Sequence, residues 1–257
     1  VFQEKIKQKP EIMAGLVVLE NQQAQIFTWG DLKAETELPL LRINELFSSL
    51  ALLAEIDAKN VDLNDPINYH LSEFRILQPY GEITLRHLLT HSTGLPWRQG
   101  GLFATDSKYV PELKELISQA LTPPVIAPDS AISYQSMSEP LQGLILSQLK
   151  DKPLPEVLPE FMQRQYGLSL KFQNTAPEIR ALDRDGYPIQ KLLTASPDLH
   201  AYTSSLKSLA LGLENLQKTH KGSRWRLSLF PARYFQHEYF HLDSQWLGYQ
   251  QRLTVVP

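Results

Sequence analysis

The hydrophobic pattern of the chain changes its period near Pro39, and this change limits the folds that the chain can adopt. Before Pro39, the runs Gly15–Leu19 and Gln25–Trp29 are rich in β-branched and aromatic residues, and the turn-forming stretch Glu20–Gln23 separates them. They predict a β-hairpin. After Pro39, apolar residues recur every three or four positions and predict an amphipathic helix, at Leu46, Leu50, Leu53 and Ile56.

The start of this helix carries two polar residues with local roles. Asn44 is in position to cap the helix, and Glu45 falls in its first turn, where the helix dipole favours an acid. A second helix is predicted after the cap residue Thr84 and ends before Gly94 and Pro96. Further amphipathic helices are predicted over residues 113–121, 139–149, 154–166 and 203–217.

Helices therefore dominate the middle of the chain, from about residue 46 to residue 217. The strands that the pattern predicts most clearly lie at the N-terminus. This arrangement indicates an α+β fold, in which an antiparallel sheet opened by the N-terminal hairpin packs against a large helical region. We expect residues 1–257 to form a single domain.

Composition excludes several classes of function. The net charge is −3, so there is no electrostatic reason to expect nucleic-acid binding. The longest apolar stretches are shorter than the roughly 20 residues of a membrane span, and we expect no transmembrane segment. The chain contains no cysteine, which excludes disulfides, thiolate zinc sites and a cysteine nucleophile.

One long segment resembles a known family. Ile83–Pro96 reads Ile-Thr-Leu-Arg-His-Leu-Leu-Thr-His-Ser-Thr-Gly-Leu-Pro and resembles the signature block of the serine β-lactamase-related family, which groups class C β-lactamases, D-alanyl-D-alanine peptidases and related esterases. Other segments follow in the family's order, at residues 52–66, 132–136, 197–211 and 246–249. The resemblance implies the β-lactamase/transpeptidase-like fold, a serine hydrolase ancestry and a periplasmic or otherwise extracytoplasmic location.

The family's nucleophile motif is degenerate in this chain. The family uses a serine and, one helical turn later, a lysine that accepts the hydroxyl proton. Alignment from the flanking helix puts Glu45 at the lysine position, with Asn44 beside it. The segment is about three residues short where the serine should lie. Ser48 and Ser49 follow on the next turn with no lysine three residues later, and we interpret them as packing residues.

Two literal Ser-x-x-Lys strings occur elsewhere, at Ser147–Lys150 and Ser204–Lys207. Both follow the signature block, whereas the family's nucleophile precedes it. We interpret them as solvent-exposed faces of helices rather than as catalytic pairs.

The resemblance implies roles for two further elements. Tyr134 keeps the family position of a tyrosine that moves protons during acylation, but Ser136 replaces the asparagine that would orient the substrate. The family's Lys/His-Thr/Ser-Gly strand is not found before Pro257, so we expect the C-terminal sheet strands to be incomplete. His220-Lys221-Gly222 matches that motif loosely and reads better as a helix C-cap.

A metal site is an alternative signal. His237, Glu238 and His241 form a His-Glu-x-x-His string, which on a helix directs two histidines toward one zinc ion with the glutamate as a base. The glycine and third histidine of the longer zinc motif are missing. His87 and His91 also share a predicted helical face, but they belong to the signature block, where the resemblance implies structural roles.

These observations predict a β-lactamase-like domain that is a non-catalytic binding or structural module, with no cofactor. Its candidate ligands are a peptide, a peptidoglycan-like or β-lactam-like molecule, or a protein partner. One alternative is an active β-lactamase, D-Ala-D-Ala peptidase or esterase, which requires residues missing between Ile43 and Asn44 and after Pro257. A zinc hydrolase that uses His237, Glu238 and His241 is the other alternative.

Overall fold

The computed structural model describes residues 13–72, 75–96, 117, 122–133, 135, 137–172, 202–219, 229–234, 237–246 and 249–255. The strands within these ranges are β1 (Ala14–Glu20), β2 (Gln23–Trp29), β3 (Glu37–Pro39), β4 (Lys171–Phe172), β5 (Tyr202–Ser205), β6 (Phe230–Tyr234), β7 (His237–Trp246) and β8 (Tyr249–Val255). The α-helices are α1 (Ile43–Lys59), α2 (Leu85–Leu89), α3 (Ser138–Lys150), α4 (Leu154–Tyr166) and α5 (Leu206–Thr219), and a 3-10 helix spans Ile67–His70. The mixture of helices and small antiparallel sheets confirms the predicted α+β class.

The N-terminal hairpin forms where the sequence predicts it. Strands β1 and β2 pair antiparallel from Glu20 opposite Gln23 to Ala14 opposite Trp29. The two turn residues, Asn21 and Gln22, both have positive φ angles of 51° and 63°. This is the two-residue turn whose twist matches that of the flanking strands, and asparagine tolerates it better than most residues.

Helix α1 lies at the centre of the described core. Its predicted apolar residues are buried, and it contacts α3, α4 and the strands β7 and β8. The helix ends at Asn60, which adopts the left-handed conformation and donates its backbone N–H to the last turn. The start differs from the prediction: α1 begins at Ile43 with Arg42 at the N-cap, so Asn44 lies in the first turn and does not cap the helix.

The signature block folds into a short helix and a turn. The Thr84 side chain and the His87 side chain cap α2 reciprocally, since each accepts a hydrogen bond from the other residue's backbone N–H. Leu85, Leu88 and Leu89 of this helix are fully buried. Gly94 has a φ of +73°, and a side chain there would collide with the Ile126 carbonyl. Only glycine fits, because the loop around Ile126 packs directly on the backbone.

The C-terminal part of the described chain departs from the sequence prediction. Residues 203–205, predicted to begin a helix, belong to β5, which pairs with β3 and β4. The helix α5 starts only at Leu206. Strands β6, β7 and β8 form a separate antiparallel sheet, so clear strands are not confined to the N-terminus. Of the predicted helix at 113–121, only Ile117 is described, and it is helical and buried; the segment His220-Lys221-Gly222 lies outside the described residues.

None of the described helices combines the length and the apolar composition that a bilayer-spanning segment needs.

The buried position of Leu89 generates a stability prediction. Leu89→Ala removes a fully buried side chain, and such truncations cost about 2–5 kcal/mol of the free energy of unfolding. We therefore expect a clearly lower midpoint in thermal or denaturant unfolding. Leu77→Ala is the matched control, because Leu77 is 72% exposed and should change stability by less than about 0.5 kcal/mol. Equal midpoints for the two variants would contradict the placement of α2.

Candidate functional site

The start of α1 carries a buried ion pair where the sequence places the degenerate motif. Glu45 is 1% exposed, and its Oε2 lies 3.9 Å from Nη2 of Arg42, one helical turn earlier. Its Oε1 lies 3.5 Å from Nε2 of His91, which is equally buried. His91 reaches this position because its own φ is +55°, which turns the chain sharply after α2. The signature block and the first turn of α1 therefore meet at Glu45.

A second buried acid completes the cluster from the start of α3. Glu139 is 5% exposed, and its Oε1 accepts a hydrogen bond of 3.0 Å from Nδ2 of Asn44. Asn44 thus serves as a donor across the interface between α1 and α3. We call Arg42, Asn44, Glu45, His91 and Glu139 the buried charge cluster.

Burial shifts the acid–base behaviour of both carboxyl groups. Removal from water raises the pKa of Glu45, and the nearby His91 and Arg42 only partly oppose this. Removal from water also raises the pKa of Glu139 well above its ordinary value, and the neighbouring Glu45 raises it further. The hydrogen bond from Asn44 and the charge of Arg42 act in the opposite direction. Two buried acids this close compete for ionisation, and Glu139 retains its proton to a higher pH than an ordinary glutamate.

Arg42 also joins the helices to the C-terminal sheet. Its Nη1 donates a hydrogen bond of 2.7 Å to the backbone carbonyl of Asp243 in β7. The Asp243 carboxylate is held in turn by Arg252 on the neighbouring strand, with two hydrogen bonds of 2.7 and 2.8 Å. These bonds lower the pKa of Asp243 and keep it ionised. The guanidinium of Arg42 therefore spans the space between α1 and β7.

The sequence analysis did not identify Arg42 or Glu139 as site residues. Arg42 precedes Glu45 by three residues, which is the spacing of the family's serine and lysine. That count was available from the sequence, but the sequence analysis places a gap of about three residues there and assigns no residue to the serine position. No local pattern distinguishes Glu139 from an ordinary acid in the first turn of a helix, so only the packing of α3 against α1 identifies it.

The serines considered as alternative nucleophiles, Ser48 and Ser49, are both buried. Ser49 is buried and donates its hydroxyl proton to Oε1 of Gln142 at 2.6 Å. Ser48 is also fully buried, one turn further into the helix than Glu45. Neither hydroxyl faces a described lysine. This supports the interpretation of Ser48 and Ser49 as interior residues.

The two Ser-x-x-Lys strings do not form catalytic pairs in the structure. Ser204 is buried on β5, and its hydroxyl donates to the backbone carbonyl of Ser169 at 2.8 Å. Burial on a strand corrects the expectation that this serine lies on the solvent face of a helix. Lys207 is exposed and lies 3.5 Å from Glu35. In the other string, Ser147 donates to a backbone carbonyl and Lys150 forms an ion pair with Glu55 at 3.2 Å.

The His-Glu-x-x-His string lies on a strand and not on a helix. His237, Glu238 and His241 all belong to β7. A strand rises about 3.3 Å per residue, so the backbones of the two histidines are about 13 Å apart. That distance is too long for both rings to bind one zinc ion at about 2 Å. In the described parts of the chain, no three histidine, aspartate or glutamate side chains are grouped as a metal ion would require.

The tyrosine segment is described only in part. Tyr134 and Ser136, which the sequence assigns to the family's Tyr-x-Asn motif, lie outside the described residues. Gln135 between them is buried, and its Oε1 accepts hydrogen bonds from Thr93 at 2.6 Å and from Ser138 at 3.3 Å. Gln135 therefore ties this segment to the signature block and to the start of α3.

The raised pKa of Glu139 generates a prediction about pH. A carboxyl group whose pKa is higher in the folded state stabilises the fold below its unfolded pKa, and this stabilisation is lost as the pH rises toward the folded pKa. Glu139→Gln cannot ionise, so its stability relative to the unchanged protein should improve steadily between about pH 5 and 8. Denaturant unfolding across this range measures the difference.

Glu160→Gln is the matched control for this prediction. Glu160 lies on α4 with 61% of its side chain exposed and has only a 3.8 Å contact to Lys152. Its substitution should change stability by the same small amount at every pH. Parallel pH profiles for Glu139→Gln and the unchanged protein would show that Glu139 ionises normally.

Comparisons with solved structures show what this architecture is similar to. A penicillin-binding protein homologue from Pyrococcus abyssi, described as octameric, superposes with a TM-score of 0.81 at 15% identity, over 100% of this chain and 69% of that chain. A class C β-lactamase from Rhodobacter sphaeroides gives 0.72 at 15% identity, over 99% and 89% of the two chains. D-amino acid amidase from Ochrobactrum anthropi SV3, in complex with L-phenylalanine amide, gives 0.72 at 14% identity, over 98% and 88%. At these identities, the likeness shows the fold alone.

Sequence comparison supplies the family. No curated protein sequence matches the chain significantly. The sequence model of the beta-lactamase family, however, matches residues 14–250, which includes the hairpin, all five α-helices and the strands β6 and β7. The signature block, the α+β architecture and this match agree, and the chain belongs to the beta-lactamase family.

Proposed function

We propose that this member of the beta-lactamase family is a binding module that performs no acyl transfer. The observation that carries the proposal is the pair formed by Arg42 and Glu45 at the start of α1, with 3.9 Å between Nη2 and Oε2. These two residues have the spacing of a serine and a lysine, and within the buried charge cluster they form an ion pair with each other, while Glu45 also pairs with His91.

The chemistry of this pair is incompatible with nucleophilic catalysis. An acyl-transfer dyad needs a hydroxyl that attacks and a base that accepts its proton. A guanidinium has only N–H donors and keeps its proton at any physiological pH, so Arg42 can neither attack nor accept a proton. Glu45 could accept a proton, but among the described residues neither of its carboxylate oxygens receives a hydrogen bond from a hydroxyl. The nearest serines of α1 are buried one turn further along.

The ligand we propose is a small amino-acid or peptide-like molecule. Structural neighbours of this chain include amidases in complex with L-phenylalanine amide and with L-phenylalanine, and we propose the same chemical class as the ligand of this chain. We further propose that the protein acts outside the cytoplasm, as its resemblance to penicillin-binding proteins implies. Function depends on the site rather than on the fold, so both statements require direct tests.

We predict that the protein forms no covalent adduct with a fluorescent penicillin and does not hydrolyse a chromogenic cephalosporin or a nitrophenyl ester above background. Loss of the nucleophile in a serine hydrolase removes on the order of 10⁶ in turnover. Intact-mass spectrometry after incubation with each reagent is the measurement. A mass gain on any serine of the unchanged protein would contradict the proposal, and its position would identify the nucleophile.

A double variant tests the assignment of the two positions. Arg42→Ser together with Glu45→Lys restores a hydroxyl and an amine one turn apart at the start of α1. We expect this variant, unlike the unchanged protein, to gain mass with the fluorescent penicillin.

Non-covalent binding by the unchanged protein is measured as a rise in its unfolding temperature. A ligand at about 100 times its Kd stabilises the fold by roughly 2.7 kcal/mol. Phenylalanine amide and an intact penicillin are the probes.

A further inference from the structure

The imidazole ring of His87 joins two parts of the fold. Its Nδ1 lies 3.1 Å from the backbone nitrogen of Thr84, the N-cap residue of α2. Its Nε2 lies 3.0 Å from Oδ2 of Asp129, in the loop that packs on Gly94. Only 14% of the His87 side chain is exposed, although Asp129 is largely exposed. The ring therefore links the start of α2 to the loop around Ile126.

The two partners decide which ring nitrogen carries the proton. A backbone N–H can only donate, so Nδ1 of His87 accepts from Thr84 and carries no proton. A neutral imidazole has a single N–H, which is then on Nε2 and points at the Asp129 carboxylate. Asp129 also accepts the hydroxyl proton of Ser92 at 2.7 Å. That bond is the main cause of the lowered pKa of Asp129, and His87 and Arg86 lower it further, so Asp129 stays ionised in mild acid.

Protonation of the ring affects its two contacts in opposite directions. An imidazolium has an N–H on both nitrogens and no acceptor. At Nδ1, the added N–H faces the N–H of Thr84, and this hydrogen bond of the cap is lost. At Nε2, the bond to the ionised Asp129 becomes charge-assisted and stronger.

The other backbone donors at the start of α2 have acceptors that do not titrate. The N–H of Leu85 donates to the backbone carbonyl of Asp65 at 3.1 Å, and that of Arg86 donates to the carbonyl of Leu63 at 2.8 Å. The N–H of His87 itself donates to the hydroxyl of Thr84. A change in pH therefore acts on this cap through the bond between Thr84 and the His87 ring.

We propose that His87 is an acid-released latch on the signature block. At neutral pH, its Nε2–H tautomer holds the start of α2 to the loop around Ile126. Protonation of Nδ1 releases Thr84, while Asp129 keeps the ring. Histidine side chains ordinarily change charge between about pH 5 and 8, so the release takes place in mild acid. The chain beyond α2 is held separately, because His91 contacts Glu45 in the buried charge cluster.

The other charged groups around α2 have partners of their own. Of the described acidic side chains, only that of Asp129 forms an ion pair or a hydrogen bond with the His87 ring. On the neighbouring elements, Arg86 and Asp62 bond to Asn64, Asp65 pairs with His70, and His91 and Glu139 belong to the buried charge cluster. Asp129 is therefore the counter-charge of the protonated ring.

Nuclear magnetic resonance of the unchanged protein tests the latch directly. Long-range correlation spectra of the histidine rings distinguish a protonated nitrogen from a bare one. At about pH 8, we expect His87 to be bare at Nδ1 and protonated at Nε2. Between about pH 8 and 5, the protection of the Thr84 amide against hydrogen exchange, relative to an unstructured peptide at the same pH, should fall about fivefold, as the loss of one hydrogen bond implies.

Two matched variants identify the titrating group. Glutamine three residues after the N-cap is a standard capping residue, so His87→Gln keeps an acceptor for Thr84 at every pH and should remove the pH dependence. His70→Gln should retain it, although His70 lies 3.8 Å from Asp65, beside the start of α2. Circular dichroism checks that both variants fold.

Asp129→Asn tests the second half of the latch. Loss of the carboxylate removes the charge that favours the imidazolium, so Thr84 should lose its protection at a lower pH than in the unchanged protein. An unaltered pH would contradict the role of Asp129. A proton on Nδ1 of His87 at pH 8, a constant Thr84 protection in the unchanged protein, or the same pH dependence in His87→Gln overturns the proposal.

Discussion

Placing two glutamates in the interior between α1 and α3 is the most demanding feature of this structure. A buried carboxylate is costly unless it is neutralised or paired. Glu45 receives Arg42 and His91 as partners, and Glu139 receives the Asn44 amide together with a raised pKa, so that it keeps its proton to a higher pH than an ordinary glutamate. These compensating groups come from the start of α1 and from the signature block, while Glu139 comes from α3. The helices and the signature block must therefore pack together before either acid can be accommodated.

Arg42 extends this dependence to the C-terminal sheet. Its guanidinium faces Glu45 on one side and the backbone of β7 at Asp243 on the other. A cation that contacts a buried acid and a strand carbonyl is a structural link, since it satisfies groups on two elements at once. Removal of one partner from such a cluster leaves a buried charge without compensation. In the proposed function, this link takes the place of the free hydroxyl that the family's chemistry would require at the start of α1.

The signature block supports this arrangement by backbone geometry rather than by chemistry. Thr84 and His87 cap α2, His91 turns the chain through a left-handed conformation, and Gly94 admits the loop around Ile126. Asp129 in that loop accepts hydrogen bonds from Ser92 at 2.7 Å and lies 3.0 Å from Nε2 of His87. The block therefore serves as a rigid support, which agrees with the structural roles that the resemblance implies for its histidines.

Local signals in the sequence were sufficient to predict the hairpin, the apolar face of α1, the capped helix at Thr84 and the family. Each depends on periodicity, turn chemistry or a contiguous motif, and these are properties of neighbouring residues.

Tertiary contacts decided the rest of the fold and of the candidate site. The string His237-Glu238-x-x-His241 has the spacing of a helical zinc motif, but pairing with β6 and β8 makes it a strand and separates the histidines. Residues 203–205 join a sheet because β3 and β4 lie on either side of them. Glu139 becomes part of the site only because α3 packs on α1, since its burial depends on residues almost a hundred positions away.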